Sequence, residues 1–125
     1  MVGYVDSMEQ ASDAVRMMTG MLNRFNHADI YIGVRRDGTV IGINISEKDV
    51  QTILDIMTDK VNHQPEVSVK IYDSDDGKQY VRIIAEGYET PYSFGSWFYG
   101  RKYCIDDDGN ITWFEGLTCG MKRHR

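Results

Sequence analysis

The chain is predicted to fold as a single α+β domain, a mixed sheet of four to six strands with two helices packed on one of its faces. Three observations predict it. Two stretches carry apolar residues at helical spacing, several others are β-branched or alternate, and the length of 125 residues is about that of one domain.

Val2 to Val5 reads as a short strand. Ser7 follows as a helix N-cap, with Gln10 three residues on completing a capping-box pattern. Met8, Ala11, Val15, Met18, Leu22 and Phe25 then recur at spacings of three and four, which is one apolar stripe of a helix ending near Asn26. Five of the seven methionines fall in the first 21 residues and fit helix packing. Ala28 to Val34 reads as a strand. Asp37-Gly38 and a second β-prone run, Thr39 to Ile45, make a β-hairpin the expected structure, because such a turn needs positive φ.

Ser46 opens the second helix, whose apolar face is Val50, Ile53, Leu54, Met57 and Val61. Pro65 bars its continuation. Val67, Val69 and Ile71 alternate within a strand from Glu66 to Asp73. Ser74 to Gly77 is a polar turn, and Gln79 to Glu86 is the return strand, with adjacent Ile83 and Ile84 pointing to burial on both faces. Beyond Pro91 the chain is aromatic and glycine-rich. Trp97 to Ile105 and Ile111 to Glu115 are the last expected strands. Residues 1–115 are thus expected to form the domain, and 116–125, ending Lys122-Arg123-His124-Arg125, a flexible basic tail.

Composition excludes several function classes. No apolar run approaches the ~20 residues of a membrane span, and no signal-peptide pattern opens the chain. The net charge of −5 argues against a strong non-specific polyanion binder. A local basic patch is compatible with it, since acids concentrate in turns at 73–76 and 106–108. Cys104 and Cys119 are too few and too far apart for a zinc site; one disulfide is open to them, but free thiols in a reducing cytoplasm are the expected state.

Catalytic constellations are weak. Asp37, Glu47 and Asp49 lie close in sequence, as metal-dependent hydrolysis would want. A turn explains Asp37, and a helix N-terminus explains the other two. No glycine-rich loop ends in GK[ST]. His27, His63 and His124 show no ligand spacing, and Cys104 reads as a small core residue. No cofactor or metal is expected. The better-motivated candidates are cationic. Arg35 and Arg36 flank a turn, where side chains can project into a groove. Arg101 and Lys102 sit beside Trp97, Phe98 and Tyr99, so cations could hold phosphate while an aromatic face stacks on an unpaired base. Against this stands a structural reading, with Trp97 and Phe98 in the core and the cations on solvated strand edges.

The segment Tyr31-Ile32-Gly33-Val34-Arg35-Arg36-Asp37-Gly38-Thr39-Val40-Ile41-Gly42, the helix and strand pair around Pro65, and Pro91-Tyr92-Ser93 to Gly95 with Phe98-Tyr99 and Arg101 occur in one order. Together, from about Asn23 to Asp108, they resemble the Schlafen-type Alba-like domain, with its IGV-x-x-DG-x-x-x-G hairpin and PY…G-x-x-Y-x-R element. The resemblance implies an Alba-like fold, a DNA-contacting hairpin arm, a transcription-regulator type of role and a homodimer. Two departures bear on chemistry. The Glu-rich ES-x-x-x-EFK strand is absent, and Arg35 and Arg36 stand where members commonly carry an acid after GV. In the nuclease branch those carboxylates are the expected metal-binding groups, so no enzymatic activity is expected. The expectation is therefore a nucleic-acid-binding domain for DNA or RNA, with Arg35, Arg36, Arg101, Lys102 and Tyr99 as contacts. The alternatives are a protein-interaction or dimerisation module, which predicts an exposed apolar patch at Tyr92, Phe94 and Trp97, and a degenerate metal-dependent nuclease.

Overall fold

A computed structural model describes residues 2–95 and the strands Trp97–Tyr99, Tyr103–Ile105, Ile111–Trp113 and Gly120–Lys122, with side chains for 2–95 and Tyr99. Strand β1 (Gly3–Val5) leads through a 3₁₀ turn (Met8–Gln10) into helix α1 (Ala11–Phe25), and β2 (His27–Ile32) follows. Helix α2 (Glu47–Lys60), β3 (Glu66–Asp73) and β4 (Gln79–Glu86) complete the main layer pair. The sheet order is β1-β2-β4-β3, with β1 parallel to β2 and the remaining pairs antiparallel. This is the expected α+β class. Short strands β5 (Ser93–Phe94), β6 (Trp97–Tyr99), β7 (Tyr103–Ile105), β8 (Ile111–Trp113) and β9 (Gly120–Lys122) form two further small sheets, β5-β6-β9 and β7-β8.

Alternation decides which residues enter the core. Val5, Ala28, Ile30, Ile32, Val81 and Ile83 point to one face and are buried under α1 and α2. Met17, Met18 and Met21 of α1 are buried there too, as the early methionine cluster predicts. Gly3 lets the edge strand approach that helix, because a Cβ there would collide with the Met17 sulfur and press on Ile30 at 3.3 Å. α1 ends at Asn26, in the left-handed conformation at φ 60°, whose N–H bonds the Leu22 carbonyl at 2.9 Å. The Asn26 carbonyl and side-chain amide also bond Gly87 N–H and C=O, both at 3.1 Å, which ties the helix end to the end of β4.

Four local expectations are corrected. The capping box forms at α2, where the Asp49 carboxylate accepts the Ser46 N–H at 2.9 Å. At Ser7 it does not, since Gln10 Oε1 accepts from Asp6 N–H instead. Phe25 is exposed although Leu22 in the same turn is buried, and the Arg24 guanidinium lies over its ring at 5.1 Å. Tyr92, expected in an exposed patch, is 1% exposed, and Phe94 packs partly buried against the core; the Trp97 side chain lies outside the described residues. The fourth correction is the hairpin at Asp37-Gly38.

Candidate nucleic-acid interface

β2 stops at Ile32, where Gly33 turns to φ 92° and breaks the ladder. A single bridge, Val34 to Val40, closes the loop above it. The run from Thr39 to Ile45 forms no strand; Ile41 N–H bonds the Gly33 carbonyl at 2.9 Å and Ile43 N–H the Gln79 carbonyl at 3.0 Å. The turn itself has three residues, not two. Arg35 N–H bonds Thr39 C=O at 2.9 Å and Gly38 N–H bonds Arg35 C=O at 2.8 Å, leaving Arg36, Asp37 and Gly38 as the loop. Only Gly38 takes a positive φ, 89°, so the loop is a type I turn followed by a left-handed glycine. Ser74 to Lys78, with Gly77 at φ 79°, repeats the same geometry between β3 and β4.

The turn is ordered from within by Asp37, whose carboxylate accepts the Thr39 N–H at 2.9 Å. Hydrogen bonds from Thr39, and more weakly the Arg35 charge, hold the Asp37 carboxyl below the usual aspartate range. A lowered folded-state value means that its ordering effect is present above the ordinary aspartate range and is lost as pH falls through the lowered one. An NMR titration is therefore expected to give Asp37 a midpoint below that of a free aspartate, with the Thr39 amide resonance moving at the same midpoint.

Arg35 and Arg36 are both exposed. Among the described residues, the ion pairs involve other cations: Arg16 with Asp13, Lys60 with Asp59, His63 with Glu89, Lys78 with Asp76, and Arg82 with Asp29. Tyr99 stands on a different element. Its carbonyl accepts from Asn23 Nδ2 of α1 at 2.7 Å, and Arg16 lies 5.8 Å from its ring centroid. Arg101 and Lys102 lie outside the described residues. The carboxylates weighed for catalysis are engaged locally, Asp37 in the turn and Asp49 in the helix cap, and Glu47 is exposed in the first turn of α2. Among the described residues, no three His, Cys, Asp or Glu side chains group as a metal site would require. Nor is any helix among them long and apolar enough to cross a membrane.

The sequence reasoning missed the face of the main sheet turned away from the helices. Tyr4, Tyr31, Tyr80 and Tyr72 occupy its outward positions on β1, β2, β4 and β3. Their ring centroids follow one another at 5.7, 5.9 and 5.6 Å, the two outer pairs stacked within 15° of parallel. Arg82 lies 5.3 Å from the Tyr31 centroid and grips both oxygens of Asp29, at 2.9 and 2.8 Å. That grip holds Arg82 in its charged form. Burial first, then the Asp29 charge, push the Tyr31 hydroxyl up, so it stays a neutral phenol at physiological pH. The only sequence signal for this strip was a tyrosine at the off-core parity of each strand.

A helix-backed mixed sheet with an exposed turn that carries two arginines is an α+β domain. The family model described as Schlafen, AlbA_2 matches residues 4–112, and the chain belongs to that family. The match reaches further toward the N-terminus than the motifs from Asn23 onward and takes in α1 and all of β1 but Gly3. Membership suggests a nucleic-acid-related function. A search of curated proteins finds no match.

Proposed function

We propose that this domain binds DNA or RNA without performing chemistry on it, and that Arg35 and Arg36 supply phosphate contacts. The observation that carries the proposal is the pair of exposed guanidinium groups at the rim of an internally ordered turn, with no acid of the described residues in ion-pair range. Guanidinium forks match phosphate geometry, and leaving them unpaired keeps them available to an outside anion. Family membership supports the ligand class. The local engagement of Asp37 and Asp49 supports the non-catalytic part. A regulatory role on DNA and the homodimer implied by the resemblance belong to the same proposal.

Fluorescence anisotropy with labelled duplex and single-stranded oligonucleotides across a salt series tests it. Binding should weaken linearly with the logarithm of salt concentration. The Arg35→Ala/Arg36→Ala variant should bind more weakly to every sequence, with the salt slope on duplex reduced by roughly 2, about 0.9 per lost phosphate contact. A wild-type affinity weaker than about 100 μM at low salt, outside the usual non-specific range, would end the proposal.

A further inference from the structure

We infer that the open face of the main sheet is a stacking platform for unpaired bases, so that the preferred ligand is single-stranded nucleic acid. The inference rests on the nucleic-acid reading above and assigns a second contact surface to it. Four tyrosines cross all four strands as one aromatic strip, half-buried against each other and uncovered by any described element. A sheet face turned to water is ordinarily polar, and four adjacent aromatic rings there need an occupant.

Two features select bases over an apolar protein partner. The first is the company the rings keep. Tyr4, Tyr31, Arg82 and exposed Lys70 form one cross-strand row, two rings followed by two cations, of which Arg82 is paired with Asp29 and Lys70 reaches solvent. Lone Ile84 is the aliphatic side chain that the outward positions of β2, β3 and β4 contribute. The Arg35 backbone lies four residues beyond Tyr31, at most about 14 Å even along a fully extended chain. A strand stacked on Tyr31 therefore has a guanidinium within reach of its phosphates. The second feature is the net charge of −5. Asp73, Asp75 and Asp76 edge the strip at the β3–β4 turn, so phosphate attraction alone is weak and affinity must draw on uncharged contacts. Stacking on aromatic rings supplies such contacts, and only a strand with unpaired bases can use them.

The test is anisotropy on the full chain with a labelled single strand of about 12 nucleotides and a duplex carrying the same label. Single strand should bind more tightly than duplex, with tyrosine fluorescence quenched on binding. Tyr31→Leu and Tyr80→Leu, which keep apolar cover but remove the ring, should each weaken single-strand binding by about 5- to 150-fold and leave duplex binding within about twofold. Tyr31→Phe and Tyr80→Phe, which keep the ring, should bind as wild type does. Thermal unfolding of all four variants checks that the fold is retained, and the Phe pair keeps the test valid where a Leu variant does not fold. Loss of binding in the Phe variants would overturn stacking. Unchanged affinity in folded Leu variants would overturn the platform and leave the arginine turn standing. If those variants instead shift the sedimentation of the free chain, the face is a protein interface and the inference fails. Absence of binding to either nucleic acid would remove both this inference and the proposal beneath it.

Discussion

Ile83→Ala is expected to destabilise the fold by about 2–5 kcal/mol, whereas Ile84→Ala, one residue along the same strand, should cost less than about 1.5 kcal/mol. The two residues are chemically identical and adjacent, so the difference isolates the sheet face. Ile83 is fully buried between the sheet and the helices, where truncation removes contacts on every side and leaves a cavity that dense packing around it cannot close. Ile84 sits on the open face opposite Asp29 and Ser68 and is half-buried. Water can reach the space its side chain vacates, so only the transfer part of the cost applies. Urea unfolding at constant m reads the difference directly. Equal losses in the two variants would mean that the open face is covered in solution.

The same isoleucine pair shows where the sequence stops being informative. Two apolar neighbours in a strand read as burial on both faces, yet the structure buries one and leaves the other half-buried between Asp29 and Ser68. The bounds of β3 and β4 were legible residue for residue, because Val67, Val69 and Ile71 alternate in β3, and Pro65 and the polar turn at 74–77 set the strands apart. The end of α1 at Asn26 was legible for a similar reason, as asparagine tolerates the left-handed conformation that stops a helix. Thr39 to Ile45 misled because its residue types suit a strand while its backbone does not. Gly42 sits at φ 83°, and the segment meets its hydrogen-bonding needs through Gly33 and Gln79 instead of a ladder.

The exposed position of Arg35 and Arg36 at a turn was legible because a short-range turn signal placed them. Tyr99 was nominated for its place beside Arg101 and Lys102 in the sequence and for its aromatic face, and the fold puts it beside α1. The tyrosine strip was invisible for a physical reason. Tyr4, Tyr31, Tyr72 and Tyr80 become neighbours only through strand order and register, and β4 must insert between β2 and β3 for Tyr31 to meet Tyr80 on the diagonal. Alternation gives the face of a residue but not its cross-strand partner.

Asn23→Ala should destabilise the protein by roughly 2–4 kcal/mol through lost hydrogen bonds, with little contribution from lost packing. The Asn23 side chain makes three bonds to backbone far along the chain. Nδ2 donates to the carbonyls of Tyr92 at 2.8 Å and Tyr99 at 2.7 Å, and Oδ1 accepts the Tyr92 N–H at 2.5 Å. Tyr92 is 1% exposed, so water cannot readily replace those partners when the amide is removed. Each orphaned buried group then keeps its desolvation penalty, of order 1–3 kcal/mol. Asn23→Asp separates the two roles, since a carboxylate still accepts from Tyr92 N–H but donates to neither carbonyl. At neutral pH it should destabilise at least as much as Asn23→Ala, because the oxygen that replaces Nδ2 faces the Tyr92 and Tyr99 carbonyls, acceptor against acceptor. Hydrogen exchange adds a local readout. The Tyr92 amide should lose protection in Asn23→Ala by a larger factor than the Ile83 amide in the middle of the sheet, because β5 is anchored to α1 at this residue. A uniform loss across both amides would mean that Asn23 acts on global stability alone and that the tie to Tyr92 has no separate role.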